Sequence, residues 1–408
     1  MNYIQLYKRL RNIYTTDEGT IRIPDSDISF HNLPFSSTPI TGGKEPAGYR
    51  FDKKIYNALL RYYLKLNTYS NEYIFHSLNE KDENITENNS FNYIIVKKQS
   101  SGRANSCILL LHGLNERSWD KYLPWAFDLV SKTNKPVILF PLAFHMNRAP
   151  HEWSDPRLMR EVSNERSRLF PEVASSTFAN AALSTRLQFS PTRFLLSGVQ
   201  TFYDIVKLLD NIRHDDHPHL SKGAPFDIFG YSIGAFLSQM LMMSNPKDHF
   251  SNSKLFLFCG GCTMDRMQPV SKAIMDSEAA LALKNFYIDN NGNEFLNDEM
   301  IQSTLAQFEE GGKIFESMLD HTKMEEFRNS KFKTFADRCM IIPLQKDTVM
   351  SPESVDATLG KIMCNNIHPD DFPYQYTHEN PFPVNERITG QVNESFHRIF
   401  DCAERFLT

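Results

Sequence analysis

Short apolar runs alternate with amphipathic stretches through most of the chain. Continuous apolar runs stand at 92–98 (NYIIVKK), 106–113 (SCILLLHG), 136–142 (PVILFPL), 226–230 (FDIFG), 254–261 (KLFLFCGG) and 338–344 (RCMIIPL). Such runs are typical of strands buried on both faces of a parallel sheet. Helical spacing is clearest over 192–213, and a last helix is predicted from 384 to the end. The alternation predicts an α/β fold with a mainly parallel central sheet and helices on both faces.

Four segments depart from this alternation. A stretch rich in Pro, Ser, Thr and Gly at 25–48 predicts an irregular connection, and the very polar stretch 79–89 predicts an exposed loop. Residues 145–190 lack a clear period and are expected to leave the core, whereas 269–333 have helical patterns without a β-rich run. The predicted division is an N-terminal extension packed on or beside the core (1–90), the core (91–268 and 334–408) and a helical cap insertion (269–333).

Composition narrows the classes of function. Of the 408 residues, 41% are hydrophobic and 23% are charged, which allows a large buried core. The net charge of −5 provides no basic surface, so nucleic acid is not an expected partner. No run approaches the length of about 18 apolar residues that a membrane helix needs, and the first residues lack the apolar segment of a signal peptide. We expect no membrane association and a cytoplasmic location, while a removed export signal and the oligomeric state stay open.

The six cysteines are spread along the chain at positions 107, 259, 262, 339, 364 and 402, and four of them lie in apolar contexts. This distribution is typical of buried free thiols in a reducing compartment. Cys259 and Cys262 have CxxC spacing, but no second pair or nearby histidine completes a zinc site. We therefore expect neither a metal nor another cofactor.

The candidate nucleophile is Ser232, in the stretch FDIFGYSIGAFLSQML at 226–241. An apolar strand runs directly into Gly-Tyr-Ser-Ile-Gly and then into a helix-forming stretch. Two glycines at a sharp strand-to-helix turn permit the close backbone approach that exposes a serine hydroxyl in a strained conformation. The amino terminus of the following helix favours negative charge near that hydroxyl. A tight turn without chemistry is the competing interpretation.

A serine hydroxyl needs a base, and the base needs an orienting acid. Asp347 follows the predicted strand 338–344, and a helix N-terminal turn rich in acceptors is the alternative interpretation. His378 follows a short aromatic, strand-like run, whereas His397 lies inside the last helix and His368 in a polar loop. The order serine, acid, histidine fits Ser232, Asp347 and His378.

With these residues in place, the chain resembles the α/β-hydrolase superfamily over about residues 90–408. The resemblance rests on the elbow GYSIG, the strand and turn LLLHGLNERS, Asp347 and His378. It implies that Ser232 is the nucleophile, His378 the general base and acid, and Asp347 the orienting carboxylate. It further implies an oxyanion hole formed by the backbone amides of Ile233 and Leu114, with His112 and Gly113 shaping the turn.

Substrate contacts are expected near the same strand ends. The loop AFHMNRAPHEW follows the strand 136–142 and holds His145 and Arg148, which would meet a polar or anionic substrate group. An arginine that satisfies loop carbonyls or pairs with a local acid is the alternative. Tyr231 and Asn115, beside the nucleophile and in the HGLN turn, are further substrate-binding candidates.

The predicted function is a serine hydrolase that cleaves a small-molecule ester, thioester or amide through an acyl-enzyme. A peptidase or acyltransferase with the same triad, and a catalytically silent hydrolase-fold protein that binds a ligand or partner, are the alternatives. An aspartate nucleophile, which dehalogenases and epoxide hydrolases of this fold use, is replaced here by Ser232.

Overall fold

The computed structural model describes residues 1–17, 19–39, 77–99, 102–289, 295, 298–308 and 310–408. Its centre is one eight-stranded sheet. The strands are β1 (Thr20–Arg22), β2 (Ile28–Ser36), β3 (Ser90–Lys98), β4 (Cys107–Leu111), β5 (Val137–Leu139), β6 (Phe226–Tyr231), β7 (Leu255–Phe258) and β8 (Cys339–Ile342). Their spatial order is β1-β2-β3-β5-β4-β6-β7-β8. Strands β5, β4, β6, β7 and β8 are parallel to one another. Strands β1, β2 and β3 join them through antiparallel pairs.

The position of β4 inside the sheet explains why its run of apolar residues is continuous. Leu109 packs into one hydrophobic cluster and Leu110 into another, and the two clusters lie on opposite faces of the sheet. Both side chains are fully buried. Side chains alternate between the two faces of a strand. A strand that is covered on both faces is therefore apolar at every position.

Thirteen helices are described. They are α1 (Tyr3–Ile13), α2 (Thr86–Asn89), α3 (Tyr122–Thr133), α4 (Pro156–Leu169), α5 (Ala181–Phe189), α6 (Thr192–Arg213), α7 (Ile233–Ser244), α8 (Ser277–Tyr287), α9 (Glu299–Gln307), α10 (Glu310–Ser317), α11 (Glu325–Lys333), α12 (Pro352–Met363) and α13 (Thr389–Leu407). Helices α1, α3 and α13 bury their apolar residues on one face of the sheet, and α6, α7, α8, α10 and α12 on the other. The predicted α/β fold class is confirmed. No helix in the described ranges combines the length and apolar character needed to cross a membrane.

The prediction of an irregular connection at 25–48 is wrong for the strand β2, which pairs with β3 along nine residues. Its Ile28 and Phe30 face one apolar cluster, and Phe35 faces the other. The strand was not predicted because Pro34 interrupts this alternation in the sequence. The proline is tolerated because β1 pairs only with residues 29–31 of β2, so the missing N–H of Pro34 disrupts no hydrogen bond on that edge. Residues 40–48 of the predicted connection lie outside the described residues.

Two further local predictions need correction. The predicted loop 79–89 contains a 3₁₀ turn at Asp82–Asn84 and the short helix α2, and its Asn88 is buried. The aromatic run before His378 is not a strand. Beyond β8 the described residues add only isolated bridges, parallel ones of Ile341 with Ile367 and of Leu344 with Asp370 and an antiparallel one of Thr377 with Asn380.

The described part of 269–333 is helical, formed by α8, α9, α10 and α11, and it adds no strand to the sheet. Helix α8 packs against α5 of the 145–190 excursion. A buried ion pair connects the excursion to the same helix, because Arg166 on α4 donates to Asp276 at distances of 2.6 and 2.8 Å. Asp276 also caps α8 by accepting from the amide of Ala279. The 145–190 and 269–333 segments therefore pack together.

Candidate active site

Ser232 occupies a sharp turn between β6 and α7. Its φ of 58° and ψ of −124° are unfavourable for a residue that carries a Cβ. The neighbouring glycines make the turn possible. A Cβ on Gly230 would lie 2.6 Å from Ser238 Oγ, and one on Gly234 would lie 2.4 Å from the carbonyl oxygen of Leu111. The strained elbow predicted from the sequence is therefore present.

The structure brings Ser232, His378 and Asp347 into one hydrogen-bonded chain. Ser232 Oγ lies 2.6 Å from His378 Nε2, and His378 Nδ1 lies 2.7 Å from Asp347 Oδ2. The carboxylate accepts the Nδ1 proton, so Nε2 presents its lone pair to the serine hydroxyl. All three residues are at most 3% exposed.

Asp347 is fixed by the loop that follows β8. Its Oδ1 accepts hydrogen bonds from the amides of Val349 and Met350, at 2.8 and 2.9 Å, which leaves Oδ2 for the imidazole. The alternative interpretation, a carboxylate that satisfies a helix N-terminal turn, is thus half correct. One oxygen organises the turn and the other orients His378.

The backbone around His378 is held by groups that the sequence did not single out for this purpose. Tyr231 donates its hydroxyl proton to the carbonyl of His378, and Lys121 Nζ donates to the carbonyl of Glu379 at 2.9 Å. Ser271 also donates to the Glu379 carboxylate. Tyr231 is 1% exposed, so the predicted substrate contact is corrected to a positioning contact. Lys121 was missed because nothing in its local sequence signals a bond to a residue 258 positions away.

Two backbone amides beside the nucleophile have no acceptor in the described part of the chain. They belong to Ile233, the first residue of α7, and to Leu114, in the turn after β4. That turn is rigid. The amide of Gly113 donates to Tyr122 Oη at 3.0 Å, and His112 is fully buried. The His112 ring accepts from the amide of Leu142 at 3.0 Å through Nε2, which gives this histidine a structural contact.

Asn115 does not point to a substrate. Its side-chain amide donates to the carbonyls of Ala179 and Ala273, at 2.7 and 2.5 Å. The HGLN turn is thereby tied to the 145–190 excursion and to the 269–333 segment. The predicted substrate contact is corrected to a contact that fixes three loops relative to one another.

Arg148 is also corrected. It forms an ion pair, as in the alternative interpretation, but with an acid that is 56 residues away in the sequence. Its guanidinium is fully buried, lies 2.8 Å from Asp204 and donates to the side-chain oxygen of Asn88 at 3.0 Å. It also stacks over the ring of Phe91. All of these partners are structural, so the side chain has no room for an anionic substrate.

His145 differs from Arg148 because part of its hydrogen-bonding capacity is unused. Its Nδ1 lies 2.8 Å from the carbonyl of Ala143, so Nδ1 carries the proton, and Nε2 has no partner among the described residues. Burial lowers the pKa of His145 to about 4, which keeps the ring neutral at pH 7. A neutral imidazole does not attract an anion, so this half of the predicted role is not supported by the structure.

Two cavities meet beside the unpaired amides, and Leu114, Phe194 and Ile233 line both. The inner cavity, of about 50 Å³, lies between α6 and α7, and its other walls are mostly apolar. The outer cavity, of about 330 Å³, is lined mainly by residues of 264–288, including Asp265 and Lys284.

One group of potential metal ligands occurs among the described residues. Asp265, Asp320 and His321 place three ligand atoms within 4.8 Å of one another. However, His321 Nδ1 lies 2.6 Å from Asp265, and the Arg266 guanidinium lies against the same ring, so a cation is already present. Cys259 and Cys262 are buried free thiols, and burial raises the pKa of both.

Several solved structures resemble this fold at low sequence identity. A cold-adapted esterase from an Arctic intertidal metagenomic library is 10% identical, covering 94% of this chain and 95% of its own, with a TM-score of 0.39. The peroxisomal α/β-hydrolase Lpx1 of Saccharomyces cerevisiae is 13% identical, covering 93% and 91%, with a TM-score of 0.39. Carboxyl esterase 2 of Tuber melanosporum is 8% identical, covering 78% and 81%, with a TM-score of 0.43.

Comparison with curated protein sequences finds no match. The sequence does match one protein family along its whole length, residues 1–408. The chain therefore belongs to the family of unknown function DUF6051.

Proposed function

We propose that this protein is a serine hydrolase that cleaves an ester, thioester or amide of a small-molecule acyl substrate through an acyl-enzyme on Ser232. The observation that carries the proposal is the hydrogen-bonded chain from Ser232 through His378 to Asp347, with the serine on a strained elbow. A strained non-glycine residue persists only where the surrounding structure enforces it, and such residues concentrate at functional sites.

In the acylation half-reaction, Ser232 Oγ attacks the carbonyl carbon of the substrate while its proton passes to His378 Nε2. The imidazolium is stabilised by Asp347, which also fixes the ring orientation. The negative charge on the carbonyl oxygen is received by the amides of Ile233 and Leu114, at the positive end of α7. The tetrahedral intermediate then collapses, the bond to the leaving group breaks, and His378 gives its proton to that group.

In the second half-reaction, a water molecule gives its proton to His378 and attacks the acyl-enzyme. The bond between the acyl group and Ser232 Oγ breaks, and the proton returns to the serine. The products are the carboxylic acid and the alcohol, thiol or amine. An acyltransferase would differ only in the nucleophile of this second step.

Residues 269–333 act in this proposal as a cap over the active site. The outer cavity supports the assignment, because residues from this segment line it together with Leu114 and Ile233. A cap of this kind gates substrate entry and shapes the leaving-group side of the site.

The test is turnover of matched p-nitrophenyl and thiophenyl esters and p-nitroanilides by the wild type and by Ser232→Ala. Ser244→Ala, at the end of α7, is the matched control because its hydroxyl donates to carbonyls of its own helix. We expect turnover by the wild type and the control and none by Ser232→Ala. Wild type that turns over none of the three classes would favour the silent, ligand-binding alternative.

A further inference from the structure

The inner cavity is bounded by a helix face that lacks one side chain. Phe194, Gly198 and Thr201 of α6 all line the cavity, and their spacing of four and three residues places them on one face of the helix. Gly198 lies in the interior of this 22-residue helix. A Cβ built on Gly198 meets no atom within 4 Å, so the space beside it is open.

The remaining walls suit an uncharged chain. Leu195 and Val199 of α6 face Phe236 and Met240 of α7 across the cavity. The hydroxyls of Ser197 and Thr201 donate to carbonyls within α6. His145, the one titratable residue in the lining, is neutral because burial lowers its pKa to about 4.

The size of the cavity limits the chain that it accepts. One water-sized group needs roughly 10–15 Å³ of such space, so the inner cavity of about 50 Å³ holds about three to five groups. The outer cavity is more than six times larger and carries both signs of charge through Asp265 and Lys284. The two cavities therefore differ in the size and the polarity of what they accept.

We infer that the inner cavity receives the acyl chain of the substrate and the outer cavity its leaving group, and that Gly198 is the residue that leaves room for the chain. This inference rests on the proposed function, since both cavities are assigned around the acylated serine. The substrate class is an ester or thioester of a short, unbranched, uncharged acyl group of about three to five carbons beyond the carbonyl, with a larger, polar leaving group.

The test is kcat/KM for p-nitrophenyl esters from acetate to decanoate, with wild type, Gly198→Ala and Gly198→Leu. The wild type should show its maximum near butyrate to hexanoate and a decline at octanoate and beyond. Gly198→Ala should lower kcat/KM for hexanoate about tenfold relative to acetate, because one methylene of space changes discrimination by about 10- to 200-fold. Gly198→Leu should leave acetate as the best substrate.

The matched control is Gly390→Ala, another helical glycine whose added Cβ would meet no atom within 4 Å. It should keep the wild-type chain-length profile. A wild-type profile that rises through decanoate would overturn the inference. So would Gly198→Ala or Gly198→Leu lowering kcat/KM equally for every chain length.

A second readout is independent of turnover. A crystal of the wild type under xenon pressure should show xenon between α6 and α7, and a Gly198→Leu crystal should not, because dry apolar cavities bind xenon. Absence of xenon from the wild type would overturn the cavity assignment itself. Xenon binding without Ser232-dependent turnover would instead reject the proposed function, and the acyl assignment with it.

Discussion

At the scale of single residues, the site depends on backbone space as much as on reactive groups. The elbow holds Ser232 in a strained conformation because Gly230 and Gly234 let three segments approach more closely than any side chain would allow. The sequence predicted this correctly, since GxSxG after an apolar strand is a local signal. Asp347 was likewise proposed from its place after an apolar strand, whereas the strand expected before His378 is absent.

Gly234→Ala tests whether the elbow depends on that space. The new methyl group would lie 2.4 Å from the Leu111 carbonyl oxygen, and this oxygen belongs to the central strand and has little freedom to move. We expect a loss of about 2 kcal/mol or more in the free energy of unfolding, measured in urea. Gly390→Ala is the control, and equal stability of the two variants would contradict the account of the elbow.

His378→Ala tests the base. In the proposed mechanism His378 accepts the serine proton, so kcat should fall by at least ~10³ when the imidazole is removed. Asp347→Asn should also lower kcat, because the carboxylate fixes the tautomer and stabilises the imidazolium. His397→Ala, a histidine within α13, is the control and should keep turnover within several-fold. A loss of kcat with His397→Ala as large as that with His378→Ala would reject the assignment.

At the scale of elements, the parallel strands could be predicted from the sequence, whereas the antiparallel strand β2 could not. Strands β4, β6 and β7 have continuous apolar runs in the sequence, because both of their faces are buried. Strand β2 alternates between faces and contains Pro34, so its sequence is similar to that of a loop. The ion pair of Arg148 could not be predicted from the sequence either, because Asp204 is 56 residues away and contacts Arg148 only through tertiary packing.

The buried pair of Arg166 and Asp276 should hold the excursion and the cap segment together. Asp276→Asn removes one charge and leaves a buried guanidinium without its counter-ion, which should cost about 3–5 kcal/mol of unfolding free energy. Glu325→Gln, which breaks an exposed pair with Lys361, should leave it nearly unchanged, because solvent screens exposed ion pairs. Urea titrations of both variants make the comparison. Similar losses would show that the pair does not join the segments.

At the scale of the whole molecule, two apolar layers enclose the sheet and several histidines are buried with them. His217 Nδ1 accepts from the amides of His219 and Leu220, so protonation there would break both hydrogen bonds. Burial, with the nearby His219 and Arg103, lowers the pKa of His217 to about 4. Between this value and the ordinary value of 6.5, the unfolded chain binds more protons than the folded one, so stability falls as the pH is lowered.

The corresponding prediction concerns the difference in unfolding free energy between pH 7 and pH 5. His217→Asn keeps an acceptor for the two amides but does not titrate, so this difference should shrink by about 2 kcal/mol relative to wild type. His214→Asn, at an exposed position nearby, should preserve the wild-type difference. An unchanged difference in His217→Asn would contradict the assignment of His217 as a neutral buried ring.

The central claim is that Ser232 is an activated nucleophile, and a fluorophosphonate probe tests it most directly. Intact-protein mass spectrometry should show one adduct per wild-type chain, located at Ser232 by peptide mapping. Ser232→Ala should acquire no adduct, while Ser244→Ala should be labelled like the wild type. An unlabelled wild type, or an adduct that persists in Ser232→Ala, would contradict the account.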